Sequence, residues 1–277
     1  MIQHRTTIKL TKINSSFTLE GSSISAIRTG LRIPQLGIFL DAGIHFKTIP
    51  QLILITHTHI DHIRELPFLL PNKNTNIKVV VPKQSAPFVK KYINSIHEVS
   101  LNIPNFVFNK YDLIEANPFQ VIDLKLKSNY IRIETYPMHH GIPCFGYGIY
   151  QLRNKLKKEF VGKTGKEIAE LKKSGVEITN IQPFPLLFFS GDTDKTILHT
   201  LPYHKFKYFI IECTFLLQQD KKQLKTKRHL HYDDLIPYFE KFINTTFILI
   251  HFSKKYNKDD LDDFQKEHTY SNVIFLY

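Results

Sequence analysis

No apolar run in this chain approaches the ~20 residues that a membrane-spanning helix needs, so no membrane partner is expected. The N-terminal Met1-Ile2-Gln3-His4-Arg5 lacks the apolar stretch of a secretory leader. There are two cysteines, Cys144 and Cys213, too few for a disulfide framework. A reducing, cytoplasmic compartment is therefore expected. No internal repeat and no Pro/Ser-rich linker divides the 277 residues, which are expected to form one domain, 1–277, with a sizeable core. Acidic residues are outnumbered, 25 to 37 basic ones, leaving a net charge of +12. Such an excess favours a polyanionic partner through phosphate contact and counterion release, although the chain is rich in Lys, Ile and Asn throughout. An apolar content of 42% with 22% charged residues excludes a disordered chain.

What is present is concentrated at Thr56-His57-Thr58-His59-Ile60-Asp61-His62, an H-x-H-x-D-H pattern. The apolar run Gln51-Leu52-Ile53-Leu54-Ile55 before it reads as a buried strand, and Ile63-Arg64-Glu65-Leu66 after it can open a helix. His57 and His59 are two apart and point the same way in an extended chain. Asp61 and His62 lie past the turn and can face a second ion. Imidazole and carboxylate donors together suit zinc, with manganese or iron also compatible.

Further along, Gly21 and Gly30 read as turns between short strands, and Gly37 to Gly43 as a strand ending in Asp41-Ala42-Gly43. A helix is predicted over Ser85–Ile96. A strand ends at the pair His139-His140. Thr164 and Glu167 form a capping box, predicting a helix from about Gly165 to Ser174 with a thin apolar face. Pro185–Phe189 reads as a strand delivering Asp192, and Tyr208–Ile211 as one delivering Glu212. Lys221, Lys222, Lys225, Lys227 and Arg228 form a basic loop leading to His229 and His231. Asp233 or Asp234 can cap the next helix, in which Pro237 is tolerable only in the first turn. Phe247–Ile250 is a buried strand ending at His251. A helix near 258–267 and a strand at 272–276 close the chain.

The H-x-H-x-D-H motif resembles that of the metallo-β-lactamase superfamily. The resemblance implies an α/β fold, a four-layer αββα sandwich, with two metal ions at one edge. It implies that His57, His59 and His140 hold one ion, that Asp61, His62 and His251 hold the other, and that Asp192 lies between; Asp41 would be a hydrogen-bonding support rather than a ligand. Within the superfamily, three phrases resemble the ribonuclease Z family: His140-Gly141-Ile142-Pro143-Cys144-Phe145-Gly146-Tyr147, Glu212-Cys213-Thr214-Phe215, and His251-Phe252-Ser253-Lys254-Lys255-Tyr256. This implies a binuclear zinc phosphodiesterase cleaving precursor tRNA near its 3′ end, in a family where many members are homodimers. It also implies a histidine held by Glu212 that protonates the leaving group. His231 matches by its distance from the helix cap and is preferred; His229 matches by its spacing to the last ligand. Lys255 stands where the family has arginine, which loses the bidentate fork. Residues 151–184 show no evident Gly/Pro-rich arm of the kind the family uses to grip tRNA. The alternative expectation is therefore a hydrolase of a small substrate: a cyclic nucleotide phosphodiester, a thioester or a lactone.

Overall fold

The computed structural model describes residues 6–12, 15–71, 76–222 and 227–277, so Met1–Arg5 and Lys225 lie outside the described residues. One sheet runs in the order β1 (Thr6–Lys12), β2 (Ser15–Ser25), β3 (Arg28–Ile33), β4 (Ile38–Leu40), β5 (Leu52–Leu54), β6 (Ile77–Pro82), β7 (Tyr111–Ala116). The other contains β8 (Val121–Leu126), β9 (Asn129–Met138), β10 (Cys144–Leu156), β11 (Thr179–Phe189), β12 (Tyr208–Glu212) and β13 (Thr246–Ile250), with the two-residue β14 (Phe252–Ser253) crossing over to pair with β2 of the first sheet. The last strand, β15 (Val273–Phe275), borders β13. Each sheet starts as antiparallel hairpins and becomes parallel from β4 and from β11 onward.

The parallel strands are covered on both faces, which is why they read as unbroken apolar runs. Leu52 and Leu54 enter the core between the sheets, whereas Ile53 and Ile55 point outward against helices. The outer layer on that side is helix Ala86–Leu101, which buries Ala86, Val89 and Ile93. On the other side, helices Tyr232–Lys241 and Lys258–Glu267 bury Leu235, Phe239, Leu261 and Phe264 over Phe209, Phe247 and Leu249. The layers are thus α, β, β, α. Each fully buried Leu, Ile or Phe contributes roughly 1.5–3 kcal/mol, and the buried residues fall into three clusters, one between the sheets and one under each helical layer. Among the described residues no helix is long and apolar enough to cross a membrane.

Several local expectations need correction. Gly21 and Gly30 are not turns: both lie inside strands and face each other closely. A Cβ on Gly21, whose φ is +151°, would sit 2.2 Å from the Gly30 carbonyl oxygen. Helix Ala86–Leu101 runs beyond Ile96 because its last turn is solvent-facing, with Val99 80% exposed, and it stops at Asn102 in the left-handed region (φ +54°). The cap of helix Tyr232–Lys241 is His231, whose ring accepts from the Asp233 N–H (3.1 Å), while Asp234 accepts from the His231 N–H (3.1 Å). Pro237 sits in that helix's middle, on an exposed face, where the carbonyl it leaves unpaired can meet water.

The largest departure concerns residues 151–184. Strands β10 and β11 continue past their neighbours as a two-stranded stalk, with Arg153 opposite Gln182 and Leu156 opposite Thr179. β9 ends its pairing at Leu152, and β12 pairs only with Phe188 and Phe189. The outer edge of the stalk is therefore unpaired, which is where Pro183 and Pro185 are tolerated in a strand. At its tip stands helix Gly165–Lys173, capped by the reciprocal Thr164–Glu167 box and burying no residue. The stretch thus forms a projecting arm, built from two strands and a helix rather than from a Gly/Pro-rich run.

Candidate metal centre

All but two of the candidate ligands lie where a strand ends. His57 and His59 follow β5, Asp192 follows β11, Glu212 ends β12, His251 follows β13, and His140 occupies the turn between β9 and β10. Asp61 and His62 sit in a short helix, Ile60–Ile63, that opens earlier than expected. The two sheets are tied together here: the Phe145 N–H donates to the Thr56 carbonyl (3.0 Å) and the Tyr147 hydroxyl to the Ile55 carbonyl (2.6 Å). Gly191 (φ +66°) permits the close pass beside Thr56, since a Cβ there would lie 2.7 Å from the threonine Cβ.

The structure brings the seven side chains together. His57 Nε2, His59 Nδ1 and His140 Nε2 converge, with His59 Nδ1 at 3.0 Å from the first and 3.1 Å from the second. Together with Asp192 they form one group able to hold a cation; Asp61, His62 and His251 form another. Asp192 Oδ2 lies between them, 3.6 Å from His57 Nε2, 3.5 Å from His62 Nε2, 3.9 Å from His140 Nε2 and 3.5 Å from His251 Nε2. Asp61 Oδ2 is 3.4 Å from His251 Nε2 and accepts from the Ala26 N–H (2.9 Å).

The surrounding hydrogen bonds assign the tautomers. Thr56 gives its single hydroxyl proton to Asp41 (2.9 Å), so it must accept from His57 Nδ1 (3.0 Å). His62 Nδ1 donates directly to Asp41 Oδ2 (2.7 Å). Thr214 gives its proton to Glu212 Oε2 (2.7 Å) and accepts from His251 Nδ1 (3.0 Å). His140 Nδ1 donates to the Arg228 carbonyl (3.3 Å). Four rings therefore place their Nδ1 against an outer partner and turn their Nε2 inward, toward the Asp192 carboxylate. Inward-facing imidazole nitrogens gathered around one buried carboxylate, each ring held from behind by a second partner, are an arrangement that suits a cation. Oxygen and nitrogen donors of this kind fit a divalent ion of the zinc type.

Charge follows the same geometry. Burial, and then the neighbouring histidines, hold the His57 imidazole well below its ordinary value, and His59 and His140 are lowered for the same reasons. Against the burial that would lower it, Asp192 and Asp41 hold His62 well above its ordinary value. Burial raises the Asp61 carboxyl, but the His251 hydrogen bond and the charges of His62 and His251 outweigh it, bringing it down to about 2.

The expected contact between Glu212 and His231 is not present. Glu212 Oε1 accepts from His229 Nδ1 at 2.7 Å. His231 is turned away: its Nε2 donates to the Leu217 carbonyl (3.1 Å) and its Nδ1 caps the helix. The bridge between Phe215 and His231, with the Tyr232 N–H on the Phe215 carbonyl (2.8 Å), fixes this orientation. Burial pulls His229 down, but the Glu212 carboxylate more than offsets it and the imidazole is carried up to about 9. Its ring centre lies 5.2 Å from that of His140 and 5.3 Å from that of His251, between the two groups. Glu212 is wholly buried and also accepts from the N–H groups of Thr193, Thr214 and Leu230. Thr56 and Thr214 are functional positions that the sequence reading missed; each stands within two residues of a motif acid or histidine, the one available signal.

The αββα layers and this donor set define a metal-dependent hydrolase. The beta-lactamase superfamily domain model matches residues 46–252. The tRNase Z TRZ1 of Arabidopsis thaliana is 30% identical over 259 residues, spanning 89% of each chain. The chloroplastic tRNase Z TRZ2 of the same plant is 30% identical over 256 residues, spanning 89% of this chain and 70% of its own. The chain belongs to the beta-lactamase superfamily and, within it, to the tRNase Z, or ribonuclease Z, family. The crystal structure of human tRNase Z, short form, superposes with a TM-score of 0.59 at 14% identity, covering 98% of this chain and 96% of its own, which speaks for the fold alone.

Proposed function

We propose that the chain is a binuclear zinc-dependent phosphodiesterase, a single-domain endoribonuclease that cleaves precursor tRNA near its 3′ end. The observation that carries the metal reading is the set of inward-facing imidazole nitrogens around Asp192 Oδ2. His57, His59 and His140 would hold one ion, Asp61, His62 and His251 the other, and Asp192 both. When bound, such ions supply a nucleophilic water near neutral pH and neutralise charge on the scissile phosphodiester. Asp61 orients the attacking water. His229, rather than His231, protonates the leaving 3′ oxygen, because it is the histidine that Glu212 charges and aims between the two groups.

The RNA reading is supported by the tRNase Z relatives and by the arm. From Arg153 to Glu177 the arm carries eight basic and four acidic residues, and it runs past the pairing of the neighbouring strands β9 and β12. A small substrate would need no such basic projection, so the alternative of a small-molecule hydrolase loses the argument that had favoured it. Both cysteines are free and buried, in keeping with a reducing compartment, and a homodimer remains part of the proposal by kinship. The test is incubation with a 3′-extended precursor tRNA and with bis-p-nitrophenyl phosphate. Cleavage of both should stop with chelator and return with zinc. Turnover of the small diester without cleavage of the tRNA would defeat the RNA assignment, and chelator-resistant cleavage would defeat the metal one.

A further inference from the structure

Arg228 ends the basic loop, immediately before His229, and it is bonded to His140 twice. Its guanidinium Nη1 donates to the His140 carbonyl (2.8 Å), and its own carbonyl accepts from His140 Nδ1 (3.3 Å). The two bonds close a ring around one residue. His140 needs such support, because it lies in the turn between β9 and β10, outside a ladder that begins at the Met138–Cys144 pair. Arg228 also has φ +42°, a region that disfavours every residue with a Cβ. A strained backbone is held only where its surroundings fix it, and here it points the Arg228 carbonyl at the imidazole. The next residue, His229, is locked onto Glu212.

We infer that Arg228 is a positioning residue of the metal centre, which fixes the tautomer and depth of His140 from outside the cluster and couples them to the placement of His229. This rests on the metal reading above. Arg228 would act on the ion only through His140, so its loss should weaken the metal rather than abolish it.

The experiment compares wild type with Arg228→Met, Arg228→Lys and Arg228→Gly, each checked for its fold by circular dichroism. Zinc affinity is read by competition with a chelating dye, and ligand geometry by the visible absorption of the cobalt(II)-loaded protein. Arg228→Met keeps the apolar stem but has no donor. It should bind zinc up to about tenfold more weakly, the low end of the effect of removing a partner behind a metal ligand, because the Arg228 carbonyl still meets the His140 ring while the bond that seats the His140 backbone is gone, and should shift the cobalt bands. Arg228→Lys restores one donor and should recover most of the affinity. Glycine adopts φ near +42° without penalty, so Arg228→Gly keeps the test open if the methionine variant does not fold, and it should lose affinity as the methionine variant does. Unchanged zinc affinity and cobalt spectrum in the folded donorless variants would overturn the inference. If in addition KM for precursor tRNA rose and its salt dependence flattened by about one phosphate contact, with bis-p-nitrophenyl phosphate turnover intact, Arg228 would be an RNA contact instead. Wild-type protein that takes up no zinc would defeat the metal reading itself, a separate outcome.

Discussion

Replacing His229 with alanine removes the imidazole that Glu212 holds at 2.7 Å but leaves Glu212 four other donors: the N–H groups of Thr193, Thr214 and Leu230 and the Thr214 hydroxyl. The carboxylate is therefore not orphaned, and the fold should survive. What is lost is a positioned acid, worth roughly 10²–10⁴ in rate, or about 2.7–5.4 kcal/mol of transition-state stabilisation at 1.36 kcal/mol per decade. The assay is single-turnover cleavage of a 3′-extended precursor tRNA, with zinc content measured on the same sample. Zinc should be unchanged while the rate falls by that factor. A substrate whose leaving group is p-nitrophenol departs without needing a proton, so His229→Ala should turn it over nearly as fast as wild type. His231→Ala is the control: it removes a helix cap and costs about 0.5–2 kcal/mol of stability, with little change in rate. A crippled His231→Ala beside an active His229→Ala would refute the assignment, as would equal losses on both substrates.

Asp61→Ala should abolish hydrolysis and lower metal content while leaving circular dichroism unchanged; full activity would remove Asp61 from the site. In metal-free protein, the His229 value near 9 lies above the ordinary 6.5, so its proton stabilises the fold fully below pH 6.5 and that contribution fades as pH rises through 9. Denaturant unfolding at pH 6 and pH 10 should show a drop in wild type that is smaller in His229→Ala. Gly191→Ala should destabilise by about 1–3 kcal/mol, because the new Cβ meets Thr56 at a position with φ +66°; an unchanged melting temperature would mean the strand end relaxes freely. Replacing residues 158–177 by a short turn at the Lys157–Ile178 pair should raise KM for precursor tRNA and flatten its salt dependence, with bis-p-nitrophenyl phosphate unaffected.

The ligand cluster was legible in the sequence because each motif carries its chemistry within a few residues of a buried strand, and the fold does the rest by bringing strand ends to one edge. Which histidine pairs with Glu212 was not. His229 and His231 both precede the helix, and only the Phe215–His231 bridge, a pairing between segments sixteen residues apart, decides which ring turns toward Glu212. The arm was hidden for a related reason. Pro183 and Pro185 are breaks in a central strand and ordinary on an edge, and the sequence does not say where neighbouring strands stop pairing. Gly21 and Gly30 show the same ambiguity: a glycine can mark a turn or the close approach of two strands.

Asp41 and Glu212 do the same thing on opposite walls of the centre. Each is fully buried, each holds one histidine directly, and each reaches a second through a threonine hydroxyl. These braces are made between protein groups alone. Zinc fingers gain their folding energy from the metal; with braces that lie within the protein, this socket is expected to keep its shape without it. Stripped protein should stay folded, and refilling should be fast and fully reversible. Because Asp41 braces His57 and His62, which belong to different groups of candidate ligands, a single substitution there should loosen both sites of the proposed binuclear centre together, so that their occupancy falls in step rather than one after the other.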